Sequence, residues 1–187
     1  MTLRNQPTVL VFAGPNGSGK STVTKAFDIV GIYVNADDIK ACGGITDLEA
    51  AQEAERIREY CVSNKSNFTF ETVLSTDRNL VLLEKARAAG FYVKSVFVTT
   101  CDAELNVARV KSRVLRGGHD VPSEKVRSRY KKSLENAHKL FQLSDEFTII
   151  DNSGETPEII YHADTNRETL YASNQLTDTQ IRKILKL

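Results

Sequence analysis

Hydrophobic residues fall along this chain in two alternating rhythms. Short, nearly unbroken apolar runs are separated by stretches in which apolar residues return every three or four positions. The runs predict strands over 8–13, 31–35, 67–73, 91–99 and 147–150, the first of them buried on both faces. The periodic stretches predict helices from Ser21 to about Phe27, from Leu48 through Cys61, over 77–89, from Asp102 to about Arg116, and from Ser123 onward. The last carries an apolar stripe of Val126, Tyr130, Leu134, Ala137 and Phe141.

End signals agree with these rhythms. Thr46 followed by Glu49 is a capping box, Gly90 stands where a helix C-terminus needs a left-handed residue, and Asp102 suits an N-cap. The segment Gly117-Gly118-His119-Asp120-Val121-Pro122 interrupts the helical pattern decisively. Beyond residue 150, two strands over 158–162 and 168–171 flank the turn Ala163-Asp164-Thr165-Asn166. Thr177 with Gln180 then opens a helix with Ile181, Ile184 and Leu185 on one side. Strands alternating with helices predict an α/β fold of three layers with a mostly parallel core sheet, closed by a C-terminal β-hairpin and helix. The simplest division is one domain over residues 1–187, with 155–187 as a C-terminal extension.

A chain of 187 residues can bury such a core without disulfides or metal. Its formal net charge of +1 provides no global field for nucleic acid or membrane, so a polyanion would need a local patch. Cys42, Cys61 and Cys101 are odd in number and lack C-x-x-C spacing, which points to reduced thiols and a cytoplasmic protein. The sequence shows no membrane-length apolar stretch, no signal segment at its start and no internal repeat.

One stretch carries specific chemistry. Gly14-Pro15-Asn16-Gly17-Ser18-Gly19-Lys20-Ser21 fits G-x-x-x-x-G-K-[ST] and lies between a predicted strand and a predicted helix, the order that a phosphate-binding P-loop requires. Glycines let successive N–H groups converge on an anion, and the following helix aims its N-terminal dipole there. Lys20 would reach the β- and γ-phosphates, and Ser21 would ligate Mg²⁺. The predicted fold is therefore that of a P-loop NTPase using ATP or GTP.

Catalysis on that frame needs a base and cations near the γ-phosphate. Asp37 and Asp38 follow the second predicted strand, and either could serve as base or as an ordinary turn residue. Glu71 ends an apolar strand, where a carboxylate calls for Mg²⁺ or a substrate hydroxyl as partner. Thr72 beside it could line an acceptor pocket. Arg109, Arg113 and Arg116 share one helix face, with Arg127 and Arg129 after the glycine pair. Taken singly each arginine reads as a solvated charge. As a group flanking Gly117-Gly118, they read as a helical lid over about 109–129 that closes on triphosphate. His119 reads as a lid contact to substrate, and Asn152, after the last core strand, as a contact to the nucleotide.

Together, Gly14 to Thr22, Asn35-Ala36-Asp37-Asp38-Ile39, Phe70-Glu71-Thr72 and Arg116 to Pro122 resemble the zeta-toxin family, in its short stand-alone branch. Arg129-Tyr130, Ser133-Leu134, Asn136 and Asp151-Asn152-Ser153 continue the resemblance, which runs from about Thr8 to Ser153. It implies a kinase that moves a γ-phosphate to a hydroxyl, in this family that of a UDP-activated amino sugar such as UDP-N-acetylglucosamine. It implies Asp37 as the base, Glu71 as the acidic substrate-binding residue, and lid arginines, here assigned as Arg116 and Arg129, on the phosphates. It also implies an antitoxin as protein partner. The sequence after Glu71 departs from the family's substrate-binding pattern, so a kinase of another acceptor (a nucleoside, an antibiotic or an RNA end) and a non-catalytic nucleotide switch stay open as alternatives.

Overall fold

A computed structural model describes residues 6–118 and 120–187. In chain order its elements are β1 (Thr8–Ala13), α1 (Lys20–Thr24), β2 (Ile32–Val34), α2 (Ala36–Ala41), α3 (Asp47–Ser63), β3 (Phe68–Thr72) and α4 (Arg78–Ala88). β4 (Tyr92–Thr99), α5 (Ala103–Leu115), α6 (Ser123–Leu143), β5 (Glu146–Asp151), β6 (Glu158–Ala163), β7 (Glu168–Leu170) and α7 (Asp178–Leu185) follow.

The strands form one sheet in the order β2-β3-β1-β4-β5-β6-β7. The first five lie parallel, and β6 and β7 pair antiparallel at one end. β1 is central because every residue from Val9 to Ala13 is buried, including both alternating sets of side chains. Val9, Val11 and Ala13 face a large cluster with Phe68, Phe70, Phe97 and Leu83, covered by α3, α4, α6 and α7. Leu10 and Phe12 face the opposite side with Val23, Val96 and Val98, against α1 and Phe27. Full burial of one such phenylalanine stabilises the fold by roughly 1.5–3 kcal/mol relative to exposure.

The expected capping boxes are present at Thr46–Glu49 and Thr177–Gln180. Gly90, with φ +90°, closes α4 in a Schellman arrangement in which Phe91 N donates to Ala86 O and Gly90 N to Arg87 O. Two helices differ from expectation. α1 ends at Thr24 instead of running to Phe27, with single turns following; the Thr24 hydroxyl donates back to Lys20 O, a bond that competes with helix propagation. The Asp37-Asp38 segment is no loop but the first turn of α2, capped by the Asn35 side chain accepting from Asp37 N at 2.9 Å. Asp77 adjoins α4 without a side-chain capping bond and instead pairs with Lys139 at 3.0 Å.

Candidate functional site

The carboxyl ends of the parallel strands open onto a cleft of about 690 Å³. This is where ligands sit in open α/β sheets. The loop after β1 forms its floor. Gly14 has φ +146°, and a Cβ there would lie 2.1 Å from the Val98 carbonyl of β4. Gly19 has φ +86°, and its Cβ would lie 2.1 Å from Asn152 Nδ2. The loop thus packs against its neighbours so closely that these two positions exclude any side chain. Asn152 Nδ2 donates to Ser18 O at 2.7 Å, and Arg109 Nη1 donates to Asn152 O at 2.6 Å. Asn152 is therefore a brace under the loop, with its amide engaged by the backbone instead of directed to a nucleotide base.

Lys20 crosses the loop, donating to Gly14 O at 2.7 Å and Pro15 O at 3.0 Å. The residue keeps some exposed area, yet its ammonium lies deep among protein atoms. Burial lowers its pKa to about 8 against the opposing pull of Glu71, and Arg113 lowers it further. A phosphate would replace these neutral carbonyl acceptors with charged oxygens, which suit a buried ammonium better.

Glu71, on β3 beside the loop, accepts from Ser21 Oγ at 3.0 Å and from Tyr33 OH at 2.8 Å. Asn35 Nδ2 donates to the same phenol oxygen at 3.2 Å. Burial first, then the hydrogen bond to Glu71, raise the Tyr33 pKa far above its ordinary value, so the phenol stays a donor. Ser21 Oγ and Glu71 thus set two side-chain oxygen groups next to each other beside the loop. That set suits Mg²⁺, which takes one or two protein oxygens and completes its shell with phosphate and water. Among the described residues no group of three or more His, Cys, Asp or Glu could hold a metal by itself.

Asp37 lines the cleft together with Lys20, Ser21, Thr22 and Glu71, whereas Asp38, proposed from the sequence to bind substrate, is not among the lining residues. Thr72 lines the cleft, but its hydroxyl accepts from Leu74 N at 3.0 Å and Asn79 Nδ2 at 2.8 Å. It is committed to holding the turn after β3, a structural role where a substrate contact was expected. His119 lies outside the described residues.

The arginines separate into distinct roles. Arg109, Arg113 and Arg116 all line the cleft. Arg109 clamps the Asn152 and Ser153 carbonyls, and Arg113 lies near enough to Lys20 to depress its pKa. Arg116, expected on the phosphates, folds back on its own helix, donating to Ser112 O and Oγ, each at 3.3 Å. Arg129 Nη1 reaches Asn16 Oδ1 of the loop at 3.3 Å. Arg127 pairs with Glu104 and Glu124, the solvated reading. Tyr33 and Arg58 also belong to the site and were missed from sequence. Tyr33 sits inside an apolar strand pattern, and Arg58 reads as an ordinary polar position of an amphipathic helix.

Comparison with known proteins follows the same lines. The profile of the family described as Zeta toxin matches residues 1–174, past the expected limit near Ser153 and through the β6–β7 hairpin. An uncharacterized protein of Haemophilus influenzae is 30% identical over 132 residues, covering 67% of this chain and 94% of that one. The AvrRxo1-ORF1:AvrRxo1-ORF2 complex superposes with TM-score 0.72 at 15% identity, over 96% of this chain. The present chain spans 64% of that neighbour's length. A structure from the PezAT toxin–antitoxin system of Streptococcus pneumoniae gives TM-score 0.67 at 15% identity, over 99% of this chain and 85% of that one. With a loop built for phosphate, a parallel sheet that holds it and a profile match along most of its length, the chain is a member of the zeta-toxin family.

Proposed function

We propose that this protein is a kinase that transfers the γ-phosphate of ATP, or GTP, to the hydroxyl of a small acceptor, with a UDP-activated amino sugar as the first candidate. Family membership supports the reaction class, and a similar fold has been solved with ATP, in the AvrRxo1-ORF1:-ORF2 complex. The observation that carries the reading is the shared cleft: Asp37, Lys20 and Glu71 all face the space above the phosphate loop.

The acceptor hydroxyl gives its proton to the Asp37 carboxylate as its oxygen bonds to the γ-phosphorus and the bond to the β-phosphate oxygen breaks, leaving the nucleoside diphosphate. Lys20 exchanges its bonds to Gly14 O and Pro15 O for phosphate oxygens. Arg113 and Arg129 add positive charge on the side of α5 and α6. Ser21 and Glu71 would hold Mg²⁺, which when bound neutralises charge on the phosphates. Asn152 and Arg109 keep the loop in shape.

Asp37→Asn tests the assignment. Single-turnover transfer from labelled ATP to UDP-N-acetylglucosamine, and to a panel of nucleosides, aminoglycosides and RNA ends, should fall about 10²–10⁴-fold. Affinity for a non-hydrolysable ATP analogue should stay within a few-fold. Unchanged turnover removes Asp37 from the mechanism, and ATP binding without any acceptor-dependent rate favours a nucleotide switch. An antitoxin partner is part of the same proposal, supported by the toxin–antitoxin system to which the Streptococcus pneumoniae neighbour belongs.

A further inference from the structure

Arg58 projects from α3, an element that contributes nothing to the phosphate loop, yet it lines the same cleft as Lys20, Asp37 and Glu71. It is only 8% exposed, and its guanidinium carbon lies 5.3 Å from the centroid of the Phe70 ring. Its buried Nε has no hydrogen-bond partner among the described residues. Nearby carboxylates are engaged elsewhere: Glu55 with Arg78 at 3.2 Å, Glu59 with Lys85 at 3.4 Å, and Glu71 with Ser21 and Tyr33. Burial lowers the guanidinium pKa, Glu55 and Glu59 oppose that shift, and Arg78 adds to it. A ring beneath one face offsets part of the desolvation but leaves the edge of the fork without an acceptor. Buried charge in that state calls for an anion.

The sheet order says which anion. α2 and α3 lie in the chain between β2 and β3, on one side of β1, whereas α5 and Asn152 follow β4 and β5 on the other. A triphosphate seated on the loop draws on Lys20 and the α5 cations, which leaves Arg58, at the cleft wall where a groove lined by Glu55, Glu59 and Arg78 also begins, on the side of Asp37 and Glu71, where the acceptor must lie. We propose that Arg58 anchors an acidic group of the acceptor, a phosphate or carboxylate, and so selects anionic alcohols over neutral ones. This inference rests on the kinase reading above.

The test uses the full chain saturated with Mg²⁺ and a non-hydrolysable ATP analogue, so that the loop is filled. Inorganic phosphate and malonate are then titrated separately by calorimetry. At least one should bind the loaded wild type, at least tenfold more weakly to Arg58→Met, and several-fold more weakly to Arg58→Lys, which keeps the charge but loses the fork. Binding of phosphate points to a phosphorylated acceptor, and binding of malonate to a carboxylate. Analogue affinity should be alike in all three proteins. If neither anion binds the loaded wild type, or whichever binds does so as tightly to Arg58→Lys as to wild type, the proposal is overturned, even should Arg58→Met fail to fold. Nucleotide binding without a second anion sinks the Arg58 assignment alone, whereas no nucleotide binding to wild type sinks the kinase reading and this inference with it.

Discussion

Ser21 Oγ donates to Glu71 Oε2 across 3.0 Å, tying the last residue of the phosphate-loop motif to the carboxylate near the end of β3. The phenol of Tyr33 holds the other oxygen of the same carboxylate at 2.8 Å. Glu71 is therefore fixed in orientation before any ligand arrives. Glu71→Gln removes the charge and keeps an acceptor for only one of the two donors, setting its amide N–H₂ against the other. Turnover should drop about 10–100-fold, with a higher Mg²⁺ concentration needed for half-maximal rate. Activity titrated against Mg²⁺ measures both, and an unchanged Mg²⁺ requirement would take Glu71 out of the metal site.

Lys20 predicts a pH dependence with a definite sign. In the free protein its pKa is lowered to about 8, chiefly by burial, and bound phosphates would raise it again. Nucleotide binding must then take up a proton above pH 8, so affinity should fall as pH rises through that value. Calorimetry in buffers of differing ionisation heat should detect the uptake, and Lys20→Arg should abolish it. Between pH 8 and the ordinary lysine value of 10.5 the unfolded chain holds this proton while the folded chain does not. Stability of wild type relative to Lys20→Met should therefore increase with pH across that window.

Arg113 and Arg116 lie one turn apart on α5 but should differ in effect. Arg113→Ala removes a cation close enough to perturb Lys20 and should lower kcat by about 10²-fold or more. Arg116→Ala removes a side chain bonded to Ser112 of its own helix and should leave kcat within a few-fold. Equal losses in the two variants would mean that the helix rearranges when nucleotide binds.

Asn152→Ala leaves the Ser18 carbonyl without its donor and opens space under Gly19. Stability should decrease by roughly 1–3 kcal/mol, read from urea unfolding. ATP-analogue affinity should fall with it, since the loop loses its support. Loss of stability with full affinity would confine Asn152 to folding.

The central strands were legible because a parallel strand buried on both faces is written as an unbroken apolar run, as in Val9-Leu10-Val11-Phe12-Ala13. The phosphate loop was legible because backbone geometry there demands particular residues at fixed spacing. α2 was not, because six residues offer no periodicity to read; its one signal was Asn35 as N-cap. Arginine spacing on α5 gives the shared face but not the course of each side chain: Arg113 reaches toward Lys20 while Arg116 bonds Ser112 of its own helix. Thr72 and Asn152 line the cleft as expected, but the backbone bonds of their side chains were not legible, for a common reason. Whether a polar group faces ligand or serves the backbone depends on partners far along the chain, Asn79 for one and Ser18 for the other.

The bond from Asn152 to Ser18 spans 134 positions of sequence and couples the end of β5 to the glycine-rich turn after β1. A segment of such composition would by itself wander among many shapes. Here its conformational freedom is surrendered during folding, so a triphosphate meets a receptor already set and need not spend its own interaction energy on moulding one.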